Sequence, residues 1–154
     1  MLFRSCLAIL GEGSEYARVA AEISSHGLRG RVALLGYRDD VECWIATAAV
    51  CVLASQREGL PRALVQYAVA GRPVVVADLP GADAIVKHGK TGYIVPADGL
   101  SEMADRLAEI LNSPPLAQAM SSASQDLDLS PWGEKSMVSA LEDVYARALG
   151  VKVI

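Results

Sequence analysis

Glu58 is the only acid between Leu53 and Val76, a stretch that reads as an apolar run, a polar loop, a helix opened by Pro61, a stop at Gly71 and a second apolar run. A loop that leads from the carboxyl end of a parallel strand into a helix amino terminus is where open α/β sheets place ligands. The unpaired helix N–H groups and the helix dipole both favour negative charge there. Gly59 and Leu60 follow the acid, and Gln66 stands eight positions beyond it, a spacing of ~12 Å if those residues are helical. A second candidate is the turn Gly11-Glu12-Gly13-Ser14, where Gly11 and Gly13 could admit a phosphate at the start of the next helix. Each has a plain alternative: a helix-start acid favoured by the dipole for Glu58, an exposed helix glutamine for Gln66, and a simple turn for the glycine pair. His26 ends a helical run and His88 sits in a turn, so both read as surface residues. Asp83, just after Gly81, reads as a first-turn acid.

The elements that must position these residues follow from the punctuation of the chain. Cys6 to Leu10, Arg31 to Leu35, Ala49 to Ala54, Pro73 to Ala77 and Tyr93 to Val95 are short apolar runs, read as strands. Helical spacing of apolar residues predicts helices over 15–25, 39–47, 60–70, 81–87, 100–111, 115–124 and 131–149, the last with Met137, Val138, Leu141, Val144, Tyr145 and Ala148 on one face. Strands that are apolar throughout and alternate with helices at short spacing argue for a doubly wound parallel α/β sheet. At 154 residues the chain is read as one domain, 1–154. No internal repeat, low-complexity tract or linker interrupts it.

Composition narrows the function classes. Hydrophobic residues make up 52% and charged residues 21%, which excludes disorder and fits a sheet covered on both faces. A net charge of −4 gives no long-range attraction to nucleic acid or to an anionic membrane, so any phosphate site must be local. No apolar stretch reaches the roughly 18 residues of a membrane span, and the amino terminus lacks the pattern of a signal peptide. Cys6, Cys43 and Cys51 lack metal-ligand spacing and read as buried free thiols of a reducing, cytoplasmic protein.

From Leu7 to Leu149 the chain resembles the carboxy-terminal, donor-binding domain of GT-B glycosyltransferases, specifically the family-4 group of retaining enzymes. The matching pieces stand in the family order: 8–13, 31–37, 50–55, 57–61, 68–75, the Gly81 loop, 89–95 and the terminal helix from Trp132 to Tyr145. The resemblance implies a Rossmann-like fold and a nucleoside-diphosphate sugar as donor, carrying uridine, guanosine or adenosine. It also implies transfer with retention to an acceptor sugar or lipid-linked glycan, and no required metal. By the same resemblance Glu58 contacts the donor sugar, while the backbone N–H groups of Gly59 and Leu60 approach the diphosphate. The backbone around Gly36, Tyr37 and Arg38 falls where the base is read, with Tyr37 as a stacking surface.

Two departures stand out. The family has a second glutamate, for the ribose hydroxyls, where this chain has Gln66. Glutamine offers a diol neutral hydrogen bonds in place of charge-assisted ones, so weaker nucleotide binding is expected. The resemblance also starts one βα unit late, without the strand ending in a Gly-Arg pair and the Lys-Gly helix start that neutralise donor phosphates. In a sheet of order 3-2-1-4-5-6 that strand is central, so two ladders with unpaired inner edges are expected. Pairing of the Leu7 and Val50 strands, a second copy, a partner chain or the tail Val151 to Ile154 would close the gap, with a dimer or partner preferred. A catalytically inactive donor-binding or assembly module that needs a partner chain therefore stands beside the transferase reading. A nucleotide-sugar epimerase is disfavoured, because no second carboxylate or histidine cluster is placed for proton transfer.

Overall fold

The computed structural model describes residues 5–59 and 61–150, and Leu60 and the tail after Gly150 lie outside them. Five strands alternate with helices: β1 (Leu7–Leu10), α1 (Tyr16–Ser25), β2 (Val32–Gly36), α2 (Val41–Thr47), β3 (Cys51–Leu53), α3 (Arg62–Val69), β4 (Val74–Ala77), α4 (Ala82–Ile85) and β5 (Gly92–Val95). Three helices close the chain, α5 (Leu100–Asn112), α6 (Pro114–Gln125) and α7 (Glu134–Leu149). The chain divides into two compact units, one up to Trp44 and one from Ile45.

In the first unit β1 and β2 form a parallel pair, with Leu7 opposite Val32 and Leu10 opposite Gly36 after a register shift past Ile9. Helix α1 turns half-buried Val19, Ala20 and Ile23 inward. No residue from Ser5 to Trp44 is fully buried.

The second unit carries the core. β4 lies between β3 and β5 in an all-parallel sheet, and each of its four residues is buried, as a strand covered on both faces requires. Val75, Ala77, Tyr93 and Val95 pack on one side against Met103, Ile110 and Met120 from α5 and α6. Full burial of each such aliphatic side chain is worth about 1.5–3 kcal/mol. The corner between α5 and α6 is set by Ser113, whose hydroxyl accepts from the Leu116 N–H at 3.4 Å, with a proline following it in the first turn of α6.

The strands form two parallel ladders, β1-β2 in the first unit and β3-β4-β5 in the second. Among the described residues β1 pairs with β2 alone and β3 with β4 alone, so the pairing of the Leu7 and Val50 strands is not formed. The tail offered as a filler lies outside the described residues. One expectation needs correction. The last helix is interrupted: a 3-10 turn over Ser130–Trp132 precedes extended Gly133, and α7 starts only at Glu134. Its apolar stripe is real as a periodicity, yet Met137, Val138, Leu141, Val144 and Tyr145 are exposed and Ala146 is the one buried residue of the helix.

Candidate functional site

In the second unit, Glu58 lies half-buried and Gly59 exposed in the loop after β3. Leu60, expected beside them, falls outside the described residues. Pro61 has its ring buried and takes the N-cap position, its carbonyl accepting from the Leu64 N–H at 2.9 Å. Pro61 offers no side-chain cap, so the first N–H groups of α3 lack the partner that a capping side chain would give them. The helix is held from below: Leu64 and Ala68 are buried, and the Tyr67 hydroxyl donates to the Val52 carbonyl at 3.4 Å. Burial pushes the Tyr67 phenol up to about 12, so it remains a donor.

Gln66 is exposed on the outward side of α3 with Arg62 and Val69, one helical turn away on either side. Of the eight positions from Glu58 to Gln66, those from Arg62 onward lie in α3. Pro61, at φ −74° and ψ 74°, stands outside the helix as its N-cap.

In the first unit, exposed Gly11 and Gly13 flank Glu12 in the turn after β1, and Gly36 closes β2 at φ 64°, a conformation that favours glycine. The Gly11 N–H donates to the Gly36 carbonyl at 2.8 Å, and the Tyr37 N–H donates to Glu12 Oε1 at 3.4 Å. Around this junction an open depression of about 430 Å³ is lined by Glu12, Gly13, Tyr16, Leu34, Leu35 and Gly36. Tyr37 is 71% exposed, as a stacking surface must be. Arg38 is otherwise engaged: Nε and Nη2 each donate to the Asp40 carboxylate at 2.8 Å, and the guanidinium carbon lies 5.9 Å from the Trp44 ring centre. Sequence reasoning missed Glu12 and Tyr16 as lining residues. The available signal was an acid set between two glycines at a strand end.

The structure thus places Gly11, Gly13, Gly36 and Tyr37 in the first unit and Glu58, Gly59 and Gln66 in the second. His26 and His88 are exposed, and the latter's Nδ1 accepts from the Ile94 N–H at 3.2 Å, a structural contact. Asp83 stands in the first turn of α4 as expected. Cys51 is buried, whereas Cys6, one residue ahead of β1, and Cys43, on the outer side of α2, are exposed. The expectation of buried thiols therefore holds for Cys51 alone, since the pair β1-β2 and its helices enclose no full core. Among the described residues no group of three His, Cys, Asp or Glu side chains is placed to hold a metal ion. No helix among them is long and apolar enough to cross a membrane.

Residues 3–113 match the family model of glycosyl transferases group 1. The chain belongs to that family. Among relatives in the group, N-acetyl-alpha-D-glucosaminyl L-malate synthase of Bacillus anthracis is 23% identical over 139 residues, covering 90% of this chain and 36% of that protein. Alpha-D-kanosaminyltransferase of Streptomyces kanamyceticus is 27% identical over 151 residues, covering 96% of this chain and 39% of its own length. The chain therefore spans little more than a third of these two curated relatives. In fold it is similar to Staphylococcus aureus TarM, solved with UDP, alpha-GlcNAc-glycerol and fondaparinux. There the TM-score is 0.84 at 24% identity, over 91% of this chain and 29% of that one. The fold of this group-1 chain is thus the Rossmann-like α/β arrangement of the GT-B glycosyltransferases.

Proposed function

We propose that the chain supplies the donor site of a retaining glycosyltransferase that takes a UDP-, GDP- or ADP-sugar and passes the sugar to an acceptor sugar or lipid-linked glycan. The observation that carries this reading is Glu58, half-buried in a loop between the carboxyl end of β3 and the uncapped start of α3 in a group-1 chain. A carboxylate there accepts hydrogen bonds from sugar hydroxyls, while Gly59 and Leu60 bring backbone N–H groups toward the diphosphate and Gln66 serves the ribose. Gly36 and Tyr37 serve the base end, Gly11 and Gly13 leave room for the backbone to approach the nucleotide, and Arg38 contributes mainly through the loop it braces. TarM has been solved with UDP, which supports a nucleotide in this fold. The reading needs no metal, since helix ends can meet phosphate charge, and it places the protein in the cytoplasm.

Calorimetry with UDP-, GDP- and ADP-sugars tests it. One of them binds, and Glu58→Ala weakens that binding by about tenfold to a hundredfold, the worth of one or two charge-assisted hydrogen bonds. Absence of binding to the whole panel, or binding indifferent to Glu58→Ala, would refute the reading.

The one-sided pairing of β1 and of β3 favours a second reading, an assembly module completed by a second copy or a partner chain without catalysis of its own. A stable complex seen by light scattering supports it. Hydrolysis of a donor sugar by the purified chain counts against it.

A further inference from the structure

The Gly36–Tyr37 peptide is grasped at both of its polar atoms by the turn after β1. Its carbonyl accepts from the Gly11 N–H at 2.8 Å, and its N–H donates to Glu12 Oε1 at 3.4 Å. The two turns belong to neighbouring parallel strands, so the grasp spans the carboxyl end of the β1-β2 pair, where such sheets receive ligands. The same carboxylate lines the open depression whose other walls are Gly13, Tyr16, Leu34, Leu35 and Gly36, so the peptide it holds stands at the rim of that depression. Gly36 at φ 64° turns the chain there, and a Cβ at that position would stand 3.6 Å from Glu12 Oε1, in ordinary contact. Glu12 thus lines the depression and also bonds the peptide from which the exposed Tyr37 side chain springs.

We infer that Glu12 is a positioning residue for the nucleobase end of the donor, an inference that rests on the donor reading above. It acts through the Gly36–Tyr37 peptide: with that plane held, the rim of the depression and the Tyr37 ring keep one orientation toward the base. Without it the peptide is held at its carbonyl alone, by the Gly11 N–H, so the rim and the Tyr37 ring gain freedom, and selection between bases falls while the sugar and phosphate contacts remain.

The test is the ratio of affinities for UDP, GDP and ADP, measured by calorimetry on the full chain and on Glu12→Ala, Glu12→Ser and Glu12→Gln. The wild-type chain prefers one nucleotide by about tenfold or more. Glu12→Ala and Glu12→Ser, both too short to reach the Tyr37 N–H, bring the three affinities to within about threefold, and Glu12→Gln, which retains an acceptor oxygen, keeps most of the preference. Because Glu12 is exposed, these variants keep the wild-type fold, checked by circular dichroism. A merely structural role would lower melting temperature or weaken all three nucleotides alike, leaving the ratio in place. An unchanged ratio in both short variants, a wild type without preference, or equal loss in Glu12→Gln overturns the inference and leaves the donor reading standing. Failure of all three nucleotides and their sugars to bind the wild type overturns the donor reading and the inference with it.

Discussion

The Asp40 carboxylate accepts two N–H groups from the Arg38 guanidinium, Nε to Oδ1 and Nη2 to Oδ2, each at 2.8 Å. A planar fork matched to a carboxylate in this way is the strong form of the Arg–Asp contact, and both side chains are still solvent-accessible. The hydrogen bond from Arg38, ahead of its charge, holds the Asp40 carboxyl below its usual range. Carbon-13 titration should place Asp40 below an ordinary aspartate in the wild type and return it toward the ordinary value in Arg38→Gln.

A second pair sets the acid behaviour of the larger unit. Glu109 accepts from Arg106 at 2.8 Å and from the Tyr93 hydroxyl at 2.9 Å, and these two bonds, the arginine's first, lower its pKa. A carboxylate whose folded pKa lies below its unfolded value adds stability that is complete above the ordinary range and is lost as pH falls through the lowered pKa. The stability difference between wild type and Glu109→Gln should therefore narrow as pH falls from about 6 toward about 3, measured by urea unfolding. Tyr93→Phe should cost about 1 kcal/mol and raise the Glu109 pKa, while keeping the ring beneath Arg106.

Gly92 faces Val74 across the β4-β5 ladder, and a Cβ built on it would lie 2.0 Å from the Val74 carbonyl oxygen. That oxygen is backbone and cannot swing aside. Gly92→Ala should destabilise the chain by about 3 kcal/mol or more, read as a lower urea midpoint.

Thiol chemistry separates the three cysteines. Burial raises the Cys51 thiol to about 11, while Cys6 and Cys43 are exposed. With an aromatic disulfide reagent at mildly alkaline pH, two thiols should react promptly, and the third only on unfolding.

Hydrogen exchange should divide the chain in the same way. Amides of β1 and β2, in a unit without a fully buried residue, should exchange at least about tenfold faster than those of β4 and β5.

Much of this was legible in the chain itself. The run Val74 to Ala77 announces a strand buried on both faces, and Pro61 and Gly71 bracket α3 because proline loses nothing at a helix start and glycine ends one. The Glu58 loop followed from those two boundaries. Glu12 was hidden because its partner, the Tyr37 N–H, stands 25 positions away, and only the parallel pairing of β1 with β2 brings them together. Periodicity located the apolar stripe of α7 and the thiol-bearing runs, but it cannot state what covers a face, so Cys6 and Cys43 were read as buried and lie exposed, as does the α7 stripe of Met137 and Leu141. A helical rise covers only part of the Glu58 to Gln66 spacing, because α3 starts at Arg62.

The β4 strand has a consequence beyond the folded state. Its three consecutive valines, followed by alanine and free of charge, are enclosed on both faces and on both edges. A short uncharged segment of that β-propensity, once released, pairs readily with copies of itself. Heating past the transition should therefore end in precipitation rather than refolding. The apparent melting temperature will then rise with scan rate, and shelf life will follow the unfolding rate rather than the equilibrium stability.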